Sequence, residues 1–292
     1  MTRLVVSILL TFILASCVSQ VDPDFHYYKG NVVINSLLVP DSVIRVHISE
    51  SVKSDLPEIF PSIINAKVEI TGEKKVFQLV HQGQGFYEAD VLPVSGVEYR
   101  LGILFPDESL VTATTKVPIN PKIYTTALKE SNLVKVTIED NLNERNFYWV
   151  GMKERILTSD DFFYETYVYS DLLLFDDFNR TRDSEVREVI AYSYHFFARL
   201  DDGFFNGSTV SFNIPRKWPR SDDIIDYALY VYIINADKHL DQYMKSALIQ
   251  YELGVIGDMP VFHTPLDIYS NIENGKGIFG SYTISQFDIT VP

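Results

Sequence analysis

Between Gly30 and Pro118 apolar and polar residues alternate in short runs separated by turn-forming residues. In Ser42–Ser49, Ile44, Val46 and Ile48 share one face, and Val43, Arg45 and His47 share the other. In Ala66–Thr71, Ala66, Val68 and Ile70 oppose Lys67 and Glu69. A period of two is that of an extended strand; wound into a helix, it would scatter the apolar residues around the whole surface. Val76–Val80, Gly85–Val91, Glu98–Phe105 and Leu110–Lys116 continue the pattern, with turns expected at Gly83-Gln84-Gly85 and Pro93-Val94-Ser95-Gly96. Strands at a spacing of roughly ten residues, without a helical stretch of useful length, predict an antiparallel β-sandwich over 30–117. The 19 Phe and 18 Tyr suit strands better than helices.

Val117-Pro118-Ile119-Asn120-Pro121 is the expected domain boundary, because two prolines so close cannot sit in a central ladder. Strand patterns resume at Leu133–Glu139, Phe147–Arg155, Phe162–Ser170, Val186–Leu200, Thr209–Ile214 and Asp226–Ile234. Asn206-Gly207 and Asn274-Gly275 are favoured by two-residue type I′ turns, which need positive φ at both central positions, and hairpins are expected at both. One helix is predicted over about 237–253. Leu240, Tyr243, Met244, Ala247, Leu248 and Tyr251 recur on one face, Asn235 or Asp237 is placed to cap the start, and Gly254 fits the end. That stripe reads as core packing rather than a partner groove. The predicted architecture is mainly β: two antiparallel β-sandwich domains, the second (118–292) β-rich with one packed helix. The run from Ala66 to Ile103, with Gly85-Phe86-Tyr87 before a Pro/Gly turn and a Tyr-containing strand, resembles immunoglobulin-like and carboxypeptidase-regulatory-like modules.

The single cysteine excludes an intrachain disulfide and a thiolate-rich metal site. Its position says more. Arg3 and the α-amino group precede an apolar stretch from Leu4 to Leu14, long enough for a secretory leader but too short for a bilayer, which takes about 20 residues. Leu14-Ala15-Ser16-Cys17 closes it and resembles the bacterial lipobox, in which the cysteine thiol takes a diacylglyceryl group and becomes the first mature residue. Cys17 is therefore the expected lipidation site, with palmitate-type acylation, residues 1–16 as signal peptide and 17–29 as a lipidated tether. Three acyl chains hold a protein to a membrane far more firmly than the marginal anchoring of one. No Asp follows the cysteine, a feature that retains some lipoproteins at the inner membrane, so the expected location is the outer membrane, facing either the periplasm or the surface.

Pro265 to Gly280, with Ser270-Asn271-Ile272 and Gly275-Lys276-Gly277-Ile278-Phe279-Gly280, resembles the closing signature of the domain-of-unknown-function family 4249, outer-membrane lipoproteins of Bacteroidota. The lipobox, Asn65-Ala66-Lys67-Val68, Gly85-Phe86-Tyr87, Pro118, Asp201-Asp202 with Phe205-Asn206-Gly207, and the helix near Tyr243 occur in matching order, so the resemblance spans nearly the whole chain. It implies an envelope location and frequent gene neighbourhood with TonB-dependent, SusC-like receptors, and carries no family catalytic residues. Read by themselves, Gly277 and Gly280 let backbone approach where a side chain would clash, and Ile278 and Phe279 pack inward.

With 25 Lys+Arg against 39 Asp+Glu and no basic cluster, the chain is not built to neutralise phosphates, and nucleic acid is not an expected partner. GxxxxGK[ST], GxSxG and HExxH are absent, and the histidines lack ligand spacing. The expectation is therefore a protein that is not an enzyme and has no cofactor. Among paired acids (Asp160-Asp161, Asp176-Asp177, Asp201-Asp202, Asp222-Asp223) the best-placed oxygen cluster is Asp201, Asp202 and Asn206. It lacks the alternating order of a calcium loop and reads better as a turn, so no metal site is assigned. Aromatic runs offer stacking surfaces, with Trp149 and Trp218 as candidate ligand contacts. Since alternate strand residues face inward, at least half of those rings belong to the core. Two functions fit: an accessory or docking lipoprotein beside a TonB-dependent receptor, or a glycan- or peptide-binding lipoprotein in nutrient capture.

Overall fold

The computed structural model describes residues 30–52, 60–128, 133–156, 162–166, 197–215, 227–255 and 267–289. The period-two segments form the strands β1 (Val32–Leu38), β2 (Ile44–Glu50), β3 (Lys67–Gly72), β4 (Lys75–Gly83), β5 (Phe86–Ala89), β6 (Glu98–Leu104) and β7 (Leu110–Lys116). They are followed by β8 (Lys122–Ala127), β9 (Leu133–Glu139), β10 (Phe147–Ile156), β11 (Phe162–Thr166), β12 (Phe197–Asp201), β13 (Thr209–Pro215), β14 (Tyr227–Ala236), the helix α1 (Lys238–Val255) and β15 (Lys276–Ile289). The large sheet runs β11-β10-β14-β15-β1-β2-β5-β4-β3-β6-β7, and β12 lies end to end with β11 along the same edge of β10. A small sheet has the order β13-β9-β8.

Among the described residues the protein is mainly β, sandwich-like, with one packed helix. A first core gathers Ile34, Ile44, Val46, Ile48, Val68, Ile70, Leu101, Ile103, Val111 and Phe279, all buried. Ile44, Val46, Ile48, Val68 and Ile70 are residues that the alternation placed on one strand face, and each fully buried side chain contributes roughly 1.5–3 kcal/mol. To enclose them the sheet curls until β7 faces the segment that leads into β15. There Thr112 bridges Glu273, and the Asn271 and Asn274 amides donate to the carbonyls of Thr114 and Leu110 at 3.1 and 3.0 Å. The Ser270–Gly280 signature thus closes the first core. A second core lies between the small sheet (Ile123, Val134, Val136, Ile138, Phe212, Ile214) and Tyr148, Val150, Met152, Leu200, Leu229, Val231 and Ile233 of the large one.

β15 serves both cores. Lys276–Ser281 pairs with β1, and Tyr282–Ile289 pairs with β14. The chain beyond Pro118 therefore supplies a strand to the first core as well as building the second. Pairing with β1 is parallel, a departure from the antiparallel pairing expected throughout, and the long connection such neighbours need is available because β1 and β15 come from opposite ends of the fold. The Pro118–Pro121 stretch is held against the second half: Ile119 N–H donates to Glu144 at 2.7 Å, and its carbonyl accepts from Asn141 at 3.2 Å and Asn235 at 3.1 Å.

Gln84 (φ 49°) and Gly85 (φ 77°) make the turn expected between β4 and β5, and Glu73 and Lys74 make a similar one without glycine. The two Asn-Gly hairpins are corrected. Gly207 has positive φ, but β12 and β13 on either side of it pair with different partners, β10 and β9. At Asn274 (φ 62°) the chain passes from a bridge on β7 to β15, which pairs with β1. Both turns move the chain between strands that are not neighbours, and a dipeptide carries no record of that. The expected close approaches hold: a Cβ on Gly277 would lie 2.0 Å from the Ile34 carbonyl oxygen, and one on Gly280 3.1 Å from Leu240 Cβ.

Candidate functional site

α1 begins where predicted and ends at Val255, one residue past Gly254. Asp237 caps it, accepting from the Leu240 N–H at 2.8 Å. The same carboxylate accepts from Ser281 N–H (3.2 Å) and from the Thr115 hydroxyl (2.9 Å), tying the helix start to β15 and β7 at once. Burial pushes its pKa above the usual carboxylate value, outweighing the three hydrogen bonds that favour the charge. One turn on, Asp241 takes a two-pronged contact from Arg199 of β12, Nε to Oδ1 at 2.6 Å and Nη2 to Oδ2 at 2.8 Å, and accepts from Trp149 Nε1 at 3.0 Å. Arg199 and Asp241 are both buried. Leu240, Met244 and Leu248 then pack on Trp149, Ile234 and Tyr282, so the apolar stripe is core, as its period indicated.

This seat corrects the reading of Trp149 as a ligand contact. Its ring is fully buried under α1 and its indole N–H is taken by Asp241. At Trp149 strand β10 is covered on both faces, by the small sheet and by the helix, so alternation could not separate inward from outward rings there. Trp218 and Cys17 lie outside the described residues, as do the acid pairs at 160–161, 176–177 and 222–223.

Asp201 and Asp202 sit where β12 ends in a single 3₁₀ turn (Asp202–Phe204). Asp201 accepts from the Gly203 N–H at 2.8 Å and from Arg145; Asp202 accepts from the Asn146 N–H at 2.8 Å and lies 3.0 Å from Arg145 Nε. Burial raises the Asp202 pKa, and the hydrogen bond to Asp201 raises that of Arg145. Asn206 is exposed on the following turn. Asp140 accepts from the Tyr148 hydroxyl and from Gly207 N–H at 2.8 Å. These acids are engaged by a guanidinium and by backbone amides, an arrangement that builds a loop rather than a cation cage.

One concavity among the described residues is on the outer face of the large sheet. Leu229, Val231 and Ile233 of β14 point into the second core, so Tyr230, Tyr232 and Ile234 point away from it. The register sets three cross-strand rows on that outer face: Trp149–Ile234–Ile284, Gly151–Tyr232–Gln286 and Lys153–Tyr230–Asp288. α1 covers Trp149 and Ile234 in the first row. Beyond it Lys153, Tyr230, Tyr232, Ile234, Ile284 and Gln286 line a cleft of about 670 Å³. Tyr232 lies across Gly151, where a Cβ would come within 2.2 Å of ring Cζ, and Lys153 Nζ is 5.5 Å from its ring centre. Tyr230 and Tyr232 stand two apart in the sequence, as residues on one strand face do. The outward facing of these two rings depends on what covers β14.

Taken together, the fold and its outer cleft define a two-core β-sandwich protein with a helix pinned across one sheet. The chain belongs to the family described as "Domain of unknown function (DUF4249)", which it matches over residues 18–288. No curated protein matches it. Among solved structures it is similar to a DUF4785 family protein from Legionella pneumophila (11% identity, 70% of this chain, TM-score 0.28) and spans 52% of that protein's length. It is also similar to the MSCRAMM ACE of Enterococcus faecalis (7% identity, 89% and 95% of the two chains, TM-score 0.20). A third similarity is to a putative carbohydrate binding protein from Bacteroides uniformis (9% identity, 71% and 89%, TM-score 0.17). Among the described residues, no helix is long and apolar enough to cross a membrane.

Proposed function

We propose that this chain is a lipoprotein anchored through Cys17 to the outer membrane, working as a non-enzymatic accessory or docking subunit beside a TonB-dependent, SusC-like receptor. The observation that carries the anchor is Leu14-Ala15-Ser16-Cys17 behind a short apolar stretch. The genomic company implied by the family supports the receptor as partner. Asp237, Asp241 and Asp202 spend their buried carboxylates on seating the helix and a loop, an architectural use that suits a docking module. Metabolic labelling with a palmitate analogue, followed by mild crosslinking and capture from solubilised membranes, tests both parts. Label and membrane retention should be lost in Cys17→Ala, and the native protein should bring down a β-barrel receptor. An unlabelled native protein, or one captured alone, would sink the corresponding part.

A second reading, ligand capture in nutrient uptake, is favoured by the outward-facing Tyr230 and Tyr232 beside Lys153 and Gln286. The two readings are compatible if the captured ligand is handed to the receptor.

A further inference from the structure

We infer that the cleft on the outer face of β10, β14 and β15 is a saccharide site that stacks a neutral pyranose on Tyr230 and Tyr232; this rests on the ligand-capture reading and gives it a place and a chemistry. A pyranose presents C–H faces that need a flat apolar surface and a rim of hydroxyls that need both donors and acceptors. Tyr232 supplies such a surface, because glycine at position 151 lets its ring lie across the strand. Tyr230 lies on the same face of the strand. The rim is served by Gln286, whose amide donates and accepts, by the Lys153 ammonium, which donates, and by the tyrosine hydroxyls. Ile234 and Ile284 close one end. A mostly apolar, aromatic concavity with a few polar groups, and a volume inside the about 300–1,000 Å³ usual for small-ligand sites, fits a short oligosaccharide.

The same geometry argues against the competing occupants. An extended peptide gains its affinity from main-chain hydrogen bonds at a sheet edge. Here β14 is paired on both sides, by β10 and β15, so its backbone offers no ladder to the cleft. A polyanion would meet a chain of net charge −14, with Asp288 in the row of Lys153 and Tyr230. A wholly apolar ligand would strip water from Lys153 and Gln286 and return nothing.

The test uses the full chain purified from membranes in a detergent without a sugar headgroup. Calorimetric titration with neutral probes (maltohexaose, cellohexaose, mannohexaose, xylohexaose) is set against a polygalacturonate oligomer and an unstructured peptide. At least one neutral probe should bind. Tyr230→Ala should weaken it at least tenfold and Gln286→Ala about fivefold, with unfolding temperatures unchanged. Tyr230→Phe, which keeps the ring, should stay within threefold and separates lost stacking from lost folding. If native protein binds none of the neutral probes, ligand capture of this class fails along with the site. If a neutral probe binds equally well to Tyr230→Ala and Gln286→Ala, capture stands and this site is overturned. Preference for the polyanion or the peptide overturns the assigned chemistry.

Discussion

The Asp237 carboxylate and the Thr115 hydroxyl, 122 residues apart, meet at 2.9 Å in the buried junction of α1, β7 and β15. Thr115 Oγ1 lies 2.9 Å from Ser281 Oγ, which donates to the Lys116 carbonyl at 2.8 Å. Two hydroxyl protons serve three oxygen–oxygen contacts, so a proton on Asp237 would let all three run in one direction. That agrees with the upward shift imposed by burial. Asn at this position supplies the missing donor and keeps an acceptor for the Leu240 and Ser281 amides. Asp237→Asn is therefore expected to fold and to lose far less stability than removal of the side chain. Asp237→Ala, which removes cap and links together, should lose on the order of 2–4 kcal/mol. The sign with pH follows. A raised carboxylate pKa means that the folded state binds the proton more tightly, so its contribution falls as pH rises from the ordinary value of 3.8 through the folded one. Urea unfolding at several pH values should show that slope in the native protein and not in Asp237→Asn; equal slopes would refute the protonated chain.

Arg199 and Asp241 are a different case, since both are buried and each is the other's neutralising partner. Breaking a buried pair costs up to about 3–5 kcal/mol; loss of Asp241 leaves Arg199 with the more distant Asp201 carboxylate, at 4.0 Å. Arg199→Met and Asp241→Asn should each approach that loss, and Asp241→Asn also weakens the acceptor of Trp149 Nε1. The double variant Arg199→Met/Asp241→Leu should cost clearly less than the two single changes added together, because no unpaired charge remains. Denaturant melts on the four proteins close the cycle, and additive losses would show that the pair is not a coupled unit.

What was legible in the sequence is what depends on local period and local backbone. Ile44, Val46 and Ile48 revealed a strand face. Leu240, Met244 and Leu248 revealed a helix face with Asp237 at its head, and Gly277 and Gly280 marked close approaches. What was hidden depends on which elements become neighbours. The Arg199–Asp241 contact joins residues 42 apart through a sheet and a helix that no local pattern connects. Tyr148, Trp149 and Val150 are all buried because both faces of β10 are covered at this end of the strand, and that erases the alternation by which an exposed tryptophan would be recognised. The parallel pairing of β1 with β15 unites opposite ends of the fold, and the outward facing of Tyr230 and Tyr232 follows from that larger arrangement.

Two glycines with nearly the same backbone angle separate steric crowding from backbone strain. Gly83 (φ 107°) has nothing within 4 Å of a Cβ position, whereas at Gly277 (φ 106°) the added carbon would strike the Ile34 carbonyl in the β1–β15 ladder. Gly83→Ala should cost only left-handed backbone strain, roughly 1–2 kcal/mol. Gly277→Ala adds a clash that separates β1 from β15, the strand that serves both cores, and should exceed about 4 kcal/mol or prevent folding. Comparable melting temperatures for the two variants would contradict the close approach.

His239 and Tyr269 pin the first turn of α1 to the Ser270–Gly280 signature, with Nδ1 and the hydroxyl oxygen 2.6 Å apart and the rings stacked at 6.0 Å. Burial lowers the His239 pKa below its ordinary 6.5; nearby Asp237 pulls it upward and Lys238 adds to the lowering. With the folded value the lower one, the unfolded chain binds the extra proton more readily. The stability contributed by neutral His239 is therefore full above about pH 6.5 and drains as pH falls from there toward the folded value. This is opposite in sign to the Asp237 contribution, so each must be read from its own variant. His239→Gln cannot titrate, and its stability relative to the native protein should improve steadily between pH 7 and pH 5. Parallel curves for the two proteins across that window would mean that His239 keeps its solution behaviour in the fold.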